Sequence, residues 1–198
     1  MELGSILASG WASGINLYGT VFLLGLANRL DWASTPPALG ETWVLVLSGL
    51  LYAVEFVVDK IPWIDSLWDA IHTAIRPIGG AIVGAVIARD IGEPEAFSAL
   101  LSGGFSLTAH SAKASTRAAV NLSPEPFTNI GLSVVEDGAV AGMVALAINE
   151  PQIAAVVAVV LAVLCIVVVW LLFRTVRRVL VRWRERRRGG RDVAARRE

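Results

Sequence analysis

Eleven side chains able to carry charge or exchange a proton lie within or against apolar stretches of this 198-residue chain, and they fall into four groups. His110, Lys113 and Arg117 are spaced i, i+3, i+7, which puts them on one helical face. Such a stripe suits an anion, a lipid phosphate or a row of carboxylates, or else forms a solvated end of a helix. Asp65, Asp69, His72 and Arg76 repeat the pattern at i, i+4, i+7, i+11, with Ile64, Leu67, Trp68, Ile71 and Ile75 on the remaining faces. That segment also fits an amphipathic helix at a membrane surface with local Asp69–His72 and His72–Arg76 pairs. Two carboxylates and one histidine at that spacing are a weak metal signal. Glu55 and Asp59 form an i, i+4 pair near the end of an apolar run. Glu136 and Asp137 stand side by side about halfway along another, followed by Gly138, where the helix is expected to open.

An ionisable group in hydrocarbon costs roughly 2.5–3.5 kcal/mol on insertion scales, so each needs a partner or a purpose. Consecutive helical residues point about 100° apart, so Glu136 and Asp137 must face different neighbours. Lys113 or Arg117 is the expected partner of deep-lying Glu55. The acids at 55, 59, 136 and 137 and the cations at 76, 113 and 117 are expected to form a buried network. In proton-coupled translocation, protonating an acid releases its cation. A purely structural set of ion pairs is the competing reading.

The elements that position these groups are long and apolar. Charged residues make up 17% of the chain and mean hydropathy is +0.63, whereas soluble domains carry about 25% charged residues. Uncharged or nearly uncharged runs cover 3–28, 42–59, 64–89, 96–121, 127–149 and 152–173, punctuated by Pro36-Pro37, Pro62, Pro94, Pro124, Pro126 and Pro151. The last run holds 22 residues without a charge, enough to cross a bilayer. The expected fold is an all-α membrane bundle of six spans. Ser5, Ser9 and Ser13, then Gly79, Gly80 and Gly84, then Gly103 and Gly104, allow close helix contact, and Gly80 and Gly84 have GxxxG spacing.

Leu7, Ser9, Gly10, Ser13 and Asn28 recur as Leu100, Ser102, Gly103, Ser106 and Asn121, all at an offset of 93, and Val54-Glu55 recurs as Val135-Glu136. The chain therefore divides into three-helix repeats at 1–91 and 92–173, with a basic tail at 174–198. Three spans per repeat force the second half to insert upside down, the plan of many small transporters.

Charge distribution orients the bundle. Eleven arginines and three acids fall in 174–198, a net of +8, and six cations and 14 acids precede them, a net of −8. Cation-rich ends stay cytoplasmic. With six spans both termini are then cytoplasmic, and the outer segments 29–41, 90–95 and 150–151 hold one cation, Arg29, against six acids. The tail points to anionic lipid head groups rather than nucleic acid. The single cysteine, Cys165, excludes a disulfide framework, and no HExxH, GxSxG, CxxC or nucleotide loop is present. No enzymatic activity and no cofactor are expected.

The stretch Val57-Val58-Asp59-Lys60-Ile61-Pro62-Trp63-Ile64-Asp65, with Ser13-Gly14-Ile15-Asn16-Leu17-Tyr18 upstream and Arg76-Pro77-Ile78-Gly79-Gly80 downstream, resembles the bacterial membrane proteins grouped as domain of unknown function 4126. The resemblance covers about residues 4–172. It implies a membrane protein and carries no established activity. The sequence as a whole is expected to be a small plasma-membrane transporter or channel, homo-oligomeric, moving an ion or small polar solute. The alternatives are an anionic-lipid binder or flippase, and a membrane scaffold.

Overall fold

The computed structural model describes residues 2–61, 63–122 and 126–195, and all of its regular structure is helical. Seven α-helices follow in order among these residues: α1 (Leu3–Ile15), α2 (Leu17–Arg29), α3 (Thr42–Val58), α4 (Ile64–Ile91), α5 (Glu95–Val120), α6 (Pro126–Asn149) and α7 (Pro151–Ala195), with a 3₁₀ turn at Pro37–Gly40. The breaks expected at Pro62 and Pro124 lie outside the described residues.

Three helical segments are long and apolar enough to cross a membrane: Ile64–Ile91, Phe127–Asn149 and Pro151–Val179. Helices α1 and α3 are apolar but shorter. The distribution of side chains inverts that of a soluble protein. On α3, Trp43, Val46, Leu47, Leu50, Val54 and Val57 are exposed, while Ser48 and Glu55 are buried. On α4, Leu67, Ile71, Ile75, Ile78 and Ile82 face outward, and Asp65, Asp69, His72 and Arg76 face in. Such broad apolar exterior demands a solvent other than water.

The centre is a three-helix seam of α1, α4 and α5, held at short range by small residues. Ser102 Oγ donates to the Gly80 carbonyl at 2.7 Å and Ser106 Oγ to the Arg76 carbonyl at 2.8 Å. A Cβ on Gly84 or Gly14 would overlap Ser102 or the Ser106 carbonyl respectively. The GxxxG spacing of Gly80 and Gly84 thus serves packing. Helix α7 lies against α1, as α5 lies against α4.

Two expectations are corrected. The run 3–28 is two helices, because Asn16 adopts an extended backbone (φ −147°, ψ 99°) and caps α2 by accepting from the Gly19 N–H at 2.7 Å. Helix α6 passes through Gly138 without opening, since its backbone stays helical from Pro126 to Asn149. Helix α7 runs from Pro151 to Ala195 and so carries most of the basic segment 174–198.

Candidate functional site

The interruption at Asn16 leaves carbonyls at the end of α1 without helical partners. Buried cations from two other helices occupy that place. Lys113 Nζ donates to the Ile15 carbonyl at 3.1 Å, and Arg76 Nη1 to the Gly14 carbonyl at 3.4 Å. On the other side of the break, Asn16 Nδ2 donates to Asp137 Oδ1 at 3.2 Å. A break in one helix is thereby tied to α4, α5 and α6.

Each cation also reaches carboxylates. Arg76 Nη2 lies 2.7 Å from Glu55 Oε1, and its Nη1 lies 3.1 Å from Asp69 Oδ1. Lys113 Nζ sits 2.7 Å from Asp59 Oδ2, 3.4 Å from Glu55 Oε1 and 3.5 Å from Glu136 Oε2. Arg117 is bound through both Nε and Nη2 to the two oxygens of Glu136. Its Nη1 donates to the Asp59 carbonyl at 2.6 Å and lies 3.5 Å from Asp65 Oδ2. Glu55, Arg76 and Arg117 have no exposed surface. A buried charge with these several partners is tolerable, and one stripped of them is not.

The expected network takes Arg76 from α4 but leaves Asp65 and Asp69 of that helix on a separate polar face. The structure joins them. Glu55 does meet Lys113, as expected, but its shorter contact is to Arg76 of the α4 set. The wet interfacial helix does not form, because Asp65, Asp69, His72 and Arg76 are all buried. Nor do His110, Lys113 and Arg117 make a solvated end, being equally buried. The i, i+3 and i, i+7 periodicity was right about shared faces; what it lacked was the facing helices.

The histidines adopt roles that spacing alone did not suggest. His72 Nδ1 donates to the Trp68 carbonyl at 2.8 Å, and its Nε2 shares a hydrogen bond with the Tyr18 hydroxyl at 2.9 Å. Its ring stacks on Trp68. Neither expected local pair of His72 forms. His110 Nδ1 accepts from Arg76 Nη1 at 2.8 Å, which leaves Nε2 to donate to Thr73 Oγ1 at 3.3 Å. The His110 ring is neutral in this arrangement, because Arg76 can only donate to it. Asp65, Asp69 and His72 point to different partners, and no cluster of three metal-ligating side chains exists among the described residues.

Sequence reasoning missed Asn16, Tyr18, Asn121 and Asn129. Asn121 Nδ2 donates to Asp65 Oδ1 at 2.8 Å, and Asn129 Nδ2 to Asn121 Oδ1 at 2.9 Å. The one available signal was Asn16 itself, a strong helix N-cap type following Gly14 inside an otherwise unbroken apolar run.

Beside the network, α2, α3 and α4 enclose an apolar cleft of about 360 Å³ lined by residues such as Leu17, Val21, Leu47 and Val83, with Tyr18 on its wall. The expected cation stripe does not line this cleft.

No curated protein and no solved structure matches the chain. A family model, described as a domain of unknown function (DUF4126), matches residues 3–171. That span takes in the broken first helix, every charged group of the network and nearly all of the apolar part of α7. The chain belongs to the DUF4126 family.

Proposed function

We propose that this protein is a small integral membrane transporter that moves an ion or small polar solute past the break at Asn16. The observation that carries the reading is the break itself, with its free carbonyls held by Arg76 and Lys113, which are in turn held by carboxylates of α3, α4 and α6. Interrupted helices in membrane proteins occur where the freed backbone is buried in protein or lines a cavity, and in transporters they mark the binding site. The ion pairs supply parts that exchange: neutralising one acid releases its cation, and that cation holds a helix end.

Two further features support the plan. The first helix of each half packs against the last helix of the other, α1 on α7 and α5 on α4, as two inverted three-helix units would. The acid-rich segments at 29–41, 90–95 and 150–151 alternate with Lys60, Arg117 and the arginine tail along the chain. This pattern supports cytoplasmic termini and a tail near anionic head groups. A lipid-phosphate site on His110, Lys113 and Arg117 is disfavoured, because a phosphate would compete with carboxylates already bound to both cations.

Reconstitution into vesicles with an entrapped pH-sensitive dye and an imposed potassium diffusion potential tests the reading. Flux that varies with pH is expected, and Glu136→Gln should abolish it, since Arg117 then loses the carboxylate that takes two of its N–H groups. Flux unchanged by Glu136→Gln, or no flux above that of empty vesicles, rejects the proposal.

A further inference from the structure

The network holds more acids than bases. Glu55, Asp59, Asp65, Asp69, Glu136 and Asp137 face Lys60, Arg76, Lys113 and Arg117, six potential negative charges against four positive, with His110 neutral. An uncompensated charge in such an interior is costly, so a buried acid that no N–H group holds needs a counter-charge of its own.

The surplus can be located. Glu136 takes two N–H groups of Arg117, Asp59 is bound to Lys113, and Asp65 accepts from Asn121 and the Ser66 N–H. Glu55 accepts from Arg76, and half-buried Asp137 accepts from Asn16. Asp69 differs. It is 2% exposed, and neither carboxyl oxygen has a hydrogen-bond partner among the described residues. Its nearest cation, Arg76, lies 3.1 Å away but directs that nitrogen's N–H toward His110. The clefts of about 460, 510 and 360 Å³ are lined elsewhere, with Tyr18 the one network residue on any of them. None of these clefts reaches Asp69, and a proton is the counter-charge that needs no cavity.

We propose that Asp69 is the proton-binding carboxyl of the network and carries the proton that couples it to the solvent. Binding forms one O–H bond with a proton from the aqueous phase, and release returns it, with no electron transfer. The groups facing Asp69 are Arg76 on its own helix, Glu55 and Asp59 on α3, His110 and Lys113 on α5, and Glu136 on α6. When Asp69 loses its proton it competes with Glu55 for Arg76, which is also the residue that holds the Gly14 carbonyl at the helix break. This use of the site rests on the transport reading, whereas proton occupancy is measured without it.

Infrared spectroscopy of the lipid-embedded protein reads a protonated carboxylic acid directly from its C=O stretch. The wild type should show this band at neutral pH and lose it on alkaline titration. Asp69→Asn should lower it at neutral pH, and Glu136→Gln should leave it. Circular dichroism checks that Asp69→Asn is folded, and if it is not, the alkaline titration of the wild type decides. The absence of the band from the wild type at neutral pH, or a band undiminished in folded Asp69→Asn, overturns the assignment. The band with no vesicle flux keeps the proton site and removes transport; pH-dependent flux without the band keeps transport and removes the site.

Discussion

Lys113 Nζ and the carbonyl oxygen of Ile15 are 3.1 Å apart, which joins the middle of one helix to the broken end of another. The same ammonium faces Asp59, Glu55 and Glu136. One side chain thus holds three helices and a helix terminus, and its removal strands several acceptors at once.

Lys113→Met is therefore expected to destabilise the protein by about 3–5 kcal/mol, the usual cost of breaking a buried ion pair from one side. Adding Asp59→Leu should recover part of that loss, since removing both partners leaves fewer stranded charges. Thermal unfolding in mild detergent measures both. A single variant that melts like the wild type would show that the ammonium is not a structural tie.

Two glycines separate packing from flexibility. A Cβ on Gly14 would collide with the Ser106 carbonyl and come within 2.7 Å of Ala109 Cβ, both on α5. Gly138 has open space around its missing Cβ and ordinary helical surroundings on α6. Gly14→Ala should lower the melting temperature by several degrees. Gly138→Ala should leave it unchanged or raise it, by up to about 1 kcal/mol of helix preference. Equal losses at both positions would contradict this account of the seam.

At the turn between α4 and α5, Arg89 donates twice to Glu95, at 3.0 and 2.7 Å. The hydrogen bonds from Arg89 hold the Glu95 carboxyl below its ordinary value. A lowered folded-state value means a contribution to stability that is present above the unfolded value and lost as pH falls through the folded one. Glu95→Gln should then be slightly less stable than the wild type at neutral pH. The gap should close as pH drops below the ordinary glutamate range of about 4.3. Both side chains are exposed, so the effect is small. Paired unfolding curves at neutral and acidic pH test the sign, and a gap that widens in acid would refute it.

How far the sequence led depends on what each signal measures. Apolar length places five of the runs in helices, the internal match at offset 93 adds the charged run 96–121, and all six are helical. Helical spacing put Asp65, Asp69, His72 and Arg76 on one face, and they do share one. It could not say what that face met, so an interfacial helix and a buried one were equally consistent with it. The pairing of Glu55 with Arg76 depends on how α3 and α4 are juxtaposed, which no local period encodes. The break at Asn16 was hidden for a different reason: hydropathy averages over a window, and one asparagine among leucines barely moves the mean. Gly138 attracted attention through its residue type, yet it has the space and backbone of an ordinary helical position.

The interrupted first helix also constrains how the protein is made. Helix α1 has 13 residues, about 20 Å at 1.5 Å per residue, against a hydrocarbon core of about 30 Å. The groups that take up its terminal carbonyls come from residues 76 and 113. Synthesis runs from the N-terminus, so the first helix emerges before either cation exists. It has no complete set of partners until about half of the chain has followed. Assembly of this bundle is consequently late and cooperative, and a chain truncated ahead of α5 would leave the break open to whatever surrounds it.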